Sequence, residues 1–148
     1  GLQHDSFLAQ LAALHRVPIV LMHNQTGTQY DDLVPDVKSG LAVSVARAVD
    51  AGVSRGSIIL DPGLGFAKRP EHNLQLIRSL RDLRDLGFPL LVGPSRKSFI
   101  GLVLDLPVEQ RLEGTSAAVA LSVANGADIV RVHDVQAMAR VARLADAV

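Results

Sequence analysis

The chain has no cysteine, no net charge and no apolar run long enough to cross a bilayer. Without cysteine there is neither a disulfide framework nor a thiolate metal site. A reducing compartment fits, and the expected location is the cytoplasm, although cysteine-free secreted proteins are common too. With 15 basic and 15 acidic side chains in balance, no global field draws the protein toward nucleic acid or a membrane surface, so any basic patch is local. A membrane helix needs about 20 consecutive apolar residues, and none is present. There is no low-complexity segment, no linker, and no carboxylate cluster that would make an all-protein metal cage. The N-terminus, Gly1-Leu2-Gln3-His4-Asp5, is not a signal peptide. It has no initiator Met, which fits a processed chain or a piece of a longer one.

What is present is an ordinary globular composition, 148 residues of which 48% are hydrophobic and 20% charged, rich enough for a substantial core. Three short apolar runs each end in a compact polar cluster. Ile58-Ile59-Leu60 runs into Asp61-Pro62-Gly63-Leu64-Gly65-Phe66-Ala67-Lys68. Leu90-Leu91-Val92 runs into Gly93-Pro94-Ser95-Arg96-Lys97-Ser98-Phe99. Ile129-Val130 runs into Arg131-Val132-His133-Asp134. Short apolar runs bounded by turn residues, with helical stretches between them, predict buried parallel strands in βα repeats. Catalytic residues in such folds gather at the C-terminal strand ends, where the loops converge.

The expected order of elements follows. Asp5 or Ser6 caps a helix to about His15, with Phe7, Leu8, Leu11 and Leu14 on one face. A first strand covers Val17 to Met22, and His23 to Thr28 is a polar loop. Asp31 or Asp32 caps a helix to about Ala51 that tolerates Pro35 in its first turn and stops at Gly52. Strand two is Ile58 to Leu60. A helix from about Glu71 to Asp85 ends at Gly87, and strand three is Leu90 to Val92. A short helix or turn covers Phe99 to Leu104, and Leu106-Pro107 breaks it. Val108 to Asn125 is a long helix closed by Gly126. Strand four is Ile129 to Val132, and the last helix runs from Val135 to Ala147.

This is an α/β chain of about four parallel βα units. A closed TIM (β/α)8 barrel needs eight strands and about 250 residues. The simplest account is its C-terminal half, one partial domain over residues 1–148, entered at the helix before strand five. An open four-stranded sheet of flavodoxin type is the rival, and periodicity alone does not separate them.

The motifs do. Asp61-Pro-Gly-x-Gly-Phe-x-Lys68, Gly93-x-Ser-Arg-Lys97-Ser-Phe and Arg131-Val-His133-Asp-Val resemble the second half of the dihydropteroate synthase family, which belongs to the pterin-binding enzymes. Leu21-Met22-His23 and Arg111-Leu-Glu-Gly-Thr115 match as well. The resemblance covers nearly the whole chain, in order.

Each cluster also has a plainer reading. Asp-Pro-Gly by itself is a turn. Yet a half-buried carboxylate at a strand end suits a ligand with two adjacent N–H donors, and the resemblance makes Asp61 the pterin contact. It puts Phe66 on the aryl-amine side, where the alternative is a loop anchor. Ser95-Arg96-Lys97-Ser98 is either a solvated basic turn or a site for an anion or polar ring, using backbone N–H groups and Lys97. The resemblance implies that Lys97 borders the pterin and that Ser98 meets the carboxylate of 4-aminobenzoate; Arg96 braces the loop. Arg131 and His133, two apart on one strand, share a face and suit a pyrophosphate. Met22 reads as core, or, by resemblance, as packing on the flat pterin. Of His4, His15, His23 and His72, only His23 is a candidate to face the site.

The resemblance therefore implies a transferase of folate biosynthesis. It condenses 6-hydroxymethyl-7,8-dihydropterin pyrophosphate with 4-aminobenzoate, with Lys97, Arg131 and His133 at the reacting centre. It further implies Mg²⁺ held through the substrate's phosphates, inhibition by sulfonamides, and a homodimer. The family's first half contributes loops that are not in this chain. Two other readings stand beside it: a non-catalytic half-barrel, and a pterin-binding methyltransferase domain, which has no use for the Arg131/His133 pair.

Overall fold

The computed structural model describes residues 7–148. The expected caps Asp5 and Ser6, like His4, lie outside the described residues.

Helix α1 spans Phe7–His15 and strand β1 Ile19–Met22. The strand begins two residues later than Val17. Arg16 turns left-handed at φ 53°, and the Val17 N–H folds back onto the Ala12 carbonyl at 3.1 Å; Pro18 has no N–H to give a ladder. The apolar face expected on α1 is real but points outward. Its buried residues are Ala9 and Ala12, while Phe7, Leu8 and Leu14 are 60%, 55% and 73% exposed.

Helix α2, Leu33–Asp50, buries Leu33, Val37, Leu41, Ser44, Val45 and Ala48, one face at helical spacing. Its first donors are met from within: the Asp36 carboxylate accepts the N–H groups of Asp31 and Asp32 at 3.0 and 3.3 Å. A 3-10 turn, Arg55–Ser57, leads into β2, Ile58–Asp61. In β2, Ile58 and Leu60 are fully buried while Ile59 and Asp61 are less so, the period-two alternation of a strand.

The helix expected over 71–85 is two: α3, Pro70–Arg78, and α4, Leu80–Arg84, separated at Ser79 (φ −105°, ψ 22°). Leu76, Ile77, Leu80 and Leu83 are all buried across the break. The apolar stripe continues through it, so periodicity carries no mark of the kink. Strand β3 is Leu91–Val92, helix α5 Ser98–Leu104, helix α6 Leu112–Ala124, strand β4 Ile129–Val130, and helix α7 Val135–Ala147. Helix α6 starts four residues later than Val108, because Pro107 opens a 3-10 turn over Val108–Gln110 and Arg111 is not helical.

All strand pairings are parallel. β1 pairs with β2, with Met22 opposite Asp61. A bridge between Leu60 and Leu90 joins β2 to β3, and β3 pairs with β4. The order is thus β1-β2-β3-β4, without the reversal that defines a doubly wound sheet. The buried strand residues Leu21, Ile58, Leu60, Leu90 and Val92 join Leu41, Leu64, Leu76 and Leu80 in one core. Along the outer edge of β1 lies an apolar groove of about 790 Å³, lined by Leu8, Leu11, Val17, Val20 and Met22 among others. No helix among the described residues is long and apolar enough to cross a membrane.

Candidate functional site

The three polar clusters meet where the strands end. Asp61 closes β2. Its carboxylate accepts the Gly63 N–H at 2.7 Å, an Asx-type turn that aims the following loop. Gly63 sits at φ 73°, and a Cβ there would lie 2.0 Å from the His23 carbonyl oxygen; the turn needs glycine both for its conformation and for its space. The loop is pinned further by Asn73, buried in α3, whose side chain accepts the Gly65 N–H at 2.6 Å and donates to the Arg69 carbonyl at 2.7 Å.

Lys97, from the loop after β3, crosses this turn. Its ammonium donates to the Leu64 carbonyl and lies 4.7 Å from the centroid of the Phe66 ring, within cation–π range. Phe66 is 43% exposed, so its ring is not buried as an anchor. Lys68 reaches back to the Phe66 carbonyl at 3.1 Å and to His23 Nδ1 at 3.2 Å. His23 is buried beside α2, where Gly40 leaves room for its ring: a Cβ on Gly40 would lie 2.8 Å from His23 Cδ2. Tyr30 covers the far side, bonded to the Ala67 carbonyl at 3.0 Å and edge-on to His72.

Charge is crowded here. Burial raises the Asp61 carboxyl above its ordinary pKa, against the pull of the Gly63 N–H and of Lys97, Lys68 and Arg131. Burial lowers Lys68 to about 8, with Asp61 opposing and Lys97 adding. Burial also lowers Lys97, with Asp61 opposing and Arg131 adding. One carboxylate among three cations suits a ligand that brings negative charge at one end and N–H donors at the other.

The third cluster is arranged differently from the expectation. β4 stops at Val130, so Arg131 and His133 lie past the strand and the same-face argument does not apply. Each is held separately: the Arg131 N–H donates to the Val92 carbonyl at 2.9 Å, and the His133 ring meets Ser95 Oγ at 2.9 Å. Arg131 stays within electrostatic reach of Asp61 and Lys97. Met22, read as core or as packing on a flat ring, is 36% exposed at the end of β1, opposite Asp61. Ser98 is exposed at the first position of α5.

Arg96 and its partners do much of the holding. Arg96 adopts φ 56°. Its N–H donates to Thr115 Oγ1 at 3.0 Å, its carbonyl accepts from Arg111 at 3.0 Å, and its guanidinium makes a bidentate pair with Asp134 at 3.0 and 2.6 Å. That pair holds the Asp134 carboxyl below the usual range. Ser95 and Thr115 are buried polar residues, and the sequence does not show it, since Pro94 and Arg96 flank one and Gly114 and Ser116 the other.

Among the described residues no group of three or more His, Asp or Glu side chains could hold a metal. Asp61, ringed by cations and already accepting an N–H, is a poor ligand for a dication. The described residues do not by themselves make a magnesium site.

The strand ends of this parallel α/β domain thus gather a carboxylate, three cations and an aromatic ring. The chain belongs to the pterin binding enzyme family, whose model matches residues 1–133. It is 54% identical over 147 residues to the dihydropteroate synthase of Bacillus subtilis, a match covering 99% of this chain and 52% of that protein. It superposes on the dihydropteroate synthase of Clostridium difficile, solved in the presence of pteroic acid, with a TM-score of 0.96 at 44% identity, over 99% of this chain and 56% of that one. The Yersinia pestis dihydropteroate synthase with a sulfonamide drug gives 0.91 at 37% identity, over 94% and 53%. The chain spans about half the length of the curated relatives it matches.

The buried His23 makes a prediction about acid. Burial, with Lys68 adding, lowers its pKa from 6.5 to about 4. Between those values the unfolded chain binds more protons than the folded one, so stability rises with pH from about 4 to 6.5 and this contribution is flat above. Denaturant unfolding of wild type and His23→Gln across that range is expected to give a steeper acid loss in wild type, on the order of 3 kcal/mol over the window. Parallel pH curves for the two proteins would contradict it.

Proposed function

We propose that the 148 residues are the C-terminal half of a (β/α)8 barrel, strands five to eight with the helix before them, in a dihydropteroate synthase. The sequential parallel strand order supports the half-barrel. So does the apolar groove along the outer edge of β1, where a preceding strand and helix would pack. The observation that carries the activity is the juxtaposition of Asp61 with Lys68, Lys97 and Arg131; the names of the relatives support it.

In this reading Asp61 accepts from the pterin's ring N–H and 2-amino group. Met22 packs on its flat face, and Lys97 borders the ring. Phe66 flanks 4-aminobenzoate, and Ser98 meets its carboxylate. Arg131 forks onto the pyrophosphate, and His133 donates to it. The amine nitrogen attacks the CH₂ on C6 of the pterin. The C–O bond to pyrophosphate breaks, pyrophosphate leaves with the electron pair, and the new ammonium gives up a proton to give 7,8-dihydropteroate. No covalent enzyme intermediate is needed; alignment and stabilisation of the leaving charge supply the rate. Mg²⁺ accompanies the substrate's phosphates, and no step assigned to the chain's residues depends on it. A sulfonamide would occupy the 4-aminobenzoate position between Phe66, Lys97 and Ser98. The full enzyme acts in the cytoplasm as a homodimer.

Two substitutions in the full-length polypeptide test these roles. Asp61→Asn keeps the shape and loses an acceptor, and is expected to weaken pterin binding by about 1.5–3 kcal/mol; unchanged affinity by calorimetry would sink the pterin assignment. Arg131→Ala is expected to weaken the pyrophosphorylated pterin more than the bare pterin alcohol. Equal losses for both ligands would make Arg131 structural.

The unpartnered edge of β1 favours a second reading of the chain by itself, as a half-barrel that binds weakly and does not turn over. Catalysis falls steeply when half the positioning groups are missing. The isolated chain is expected to release no pyrophosphate from the two substrates and to self-associate through its open edges. Turnover by a monomer on size-exclusion chromatography would overturn this reading.

A further inference from the structure

Ser95 is a buried hydroxyl with two partners, both on His133. It accepts the His133 backbone N–H at 3.2 Å, and it lies 2.9 Å from His133 Nδ1. A serine hydroxyl has one proton to give. If Nδ1 carried a proton, Ser95 Oγ would receive two donors and its own proton would lack an acceptor in a buried place. No buried side-chain polar atom among the described residues lacks a partner, and leaving one unmade is costly. The arrangement that satisfies every group has the Ser95 O–H donating to a bare Nδ1.

The neighbouring carboxylate is engaged elsewhere. Asp134, next in sequence, lies within electrostatic reach of the His133 ring. Both its oxygens are taken by Arg96, at 2.6 and 3.0 Å. Arg96 is itself locked by Thr115 and Arg111, which keeps Ser95 in place. We propose that Ser95 is a positioning residue that holds the neutral imidazole of His133 as the Nε2–H tautomer, so that its exposed edge presents an N–H donor to a phosphate oxygen rather than a bare nitrogen. The phosphate part of this statement rests on the proposed function; the tautomer does not.

The test is nitrogen NMR of ¹⁵N-histidine-labelled full-length polypeptide without substrate, at a pH where His133 is neutral, with His133 assigned by its loss in His133→Gln. A pyridine-type Nδ1 and a pyrrole-type Nε2 are expected in wild type. Ser95→Ala is expected to move both signals toward each other as the tautomers mix, and Ser95→Thr, which keeps the hydroxyl, to restore the separation. A pyrrole-type Nδ1 in wild type overturns the proposal whether or not the variants fold. An unchanged His133 pattern in folded Ser95→Ala also overturns it. A second arm reads the reaction: Ser95→Ala is expected to lower kcat while KM for the aryl amine stays within about twofold, since that substrate does not meet His133. If the nitrogen spectra behave as expected and kcat does not fall, the tautomer stands and the reaction assigned to His133 fails.

Discussion

The backbone of Arg96 is the point on which the strand-end region depends. A non-glycine residue at φ 56° is uncommon and costs on the order of 1 kcal/mol or more. It persists because three other elements over-determine it: Thr115 in α6 takes its N–H, Arg111 takes its carbonyl, and Asp134 takes its guanidinium. The room for Arg111 is in turn made by Gly101, where a Cβ would lie 2.2 Å from the guanidinium. A short loop is thereby tied to α6, to the turn before it and to the chain beyond β4. Ser95 and Lys97, the residues on either side of Arg96, inherit that fixity. One is turned toward His133 and the other across the Asp61 loop.

The second constraint is electrostatic. Two half-buried lysines flank one half-buried carboxylate, and burial pushes all three toward their neutral forms. Such a cluster carries a desolvation cost that a partner bringing negative charge and N–H donors would offset. The cluster survives because the loop carrying it is held by neutral contacts. Gly63 folds under His23, Asn73 clamps Gly65, and Tyr30 takes the Ala67 carbonyl. None of those contacts depends on the charge state of the lysines.

Much of this was legible in the residues. The parallel βα order, the strand-end position of Asp61 and the helices α2 and α7 follow from apolar spacing and from glycine and proline stops. What was not legible has physical causes. The break at Ser79 leaves the buried stripe unshifted, so no period records it. The end of β4 at Val130 hides because Arg131 still donates to β3. Ser95 pairs with a residue 38 positions away; in a Ser-Arg-Lys-Ser run the charges draw attention and the buried hydroxyl does not. His23 was legible as a candidate to face the site but not as a buried ring, because its burial depends on Gly40 in the next helix.

The outward face of α1 is the most instructive disagreement. Phe7, Leu8, Leu11 and Leu14 carry the spacing of a core-facing stripe, yet only the small residues of α1 are buried. Apolar periodicity reports that a face wants covering; it does not say that the same chain covers it. The exposed side of α1 continues into Val17, Val20 and Met22, so helix and strand edge form one apolar surface around the groove. At about 25 cal/mol per Å², surface of that kind is a strong driving force for association. It ends at Met22, directly across from Asp61. The apolar edge and the carboxylate are therefore neighbours in register, so cover over the β1 edge would lie beside Asp61.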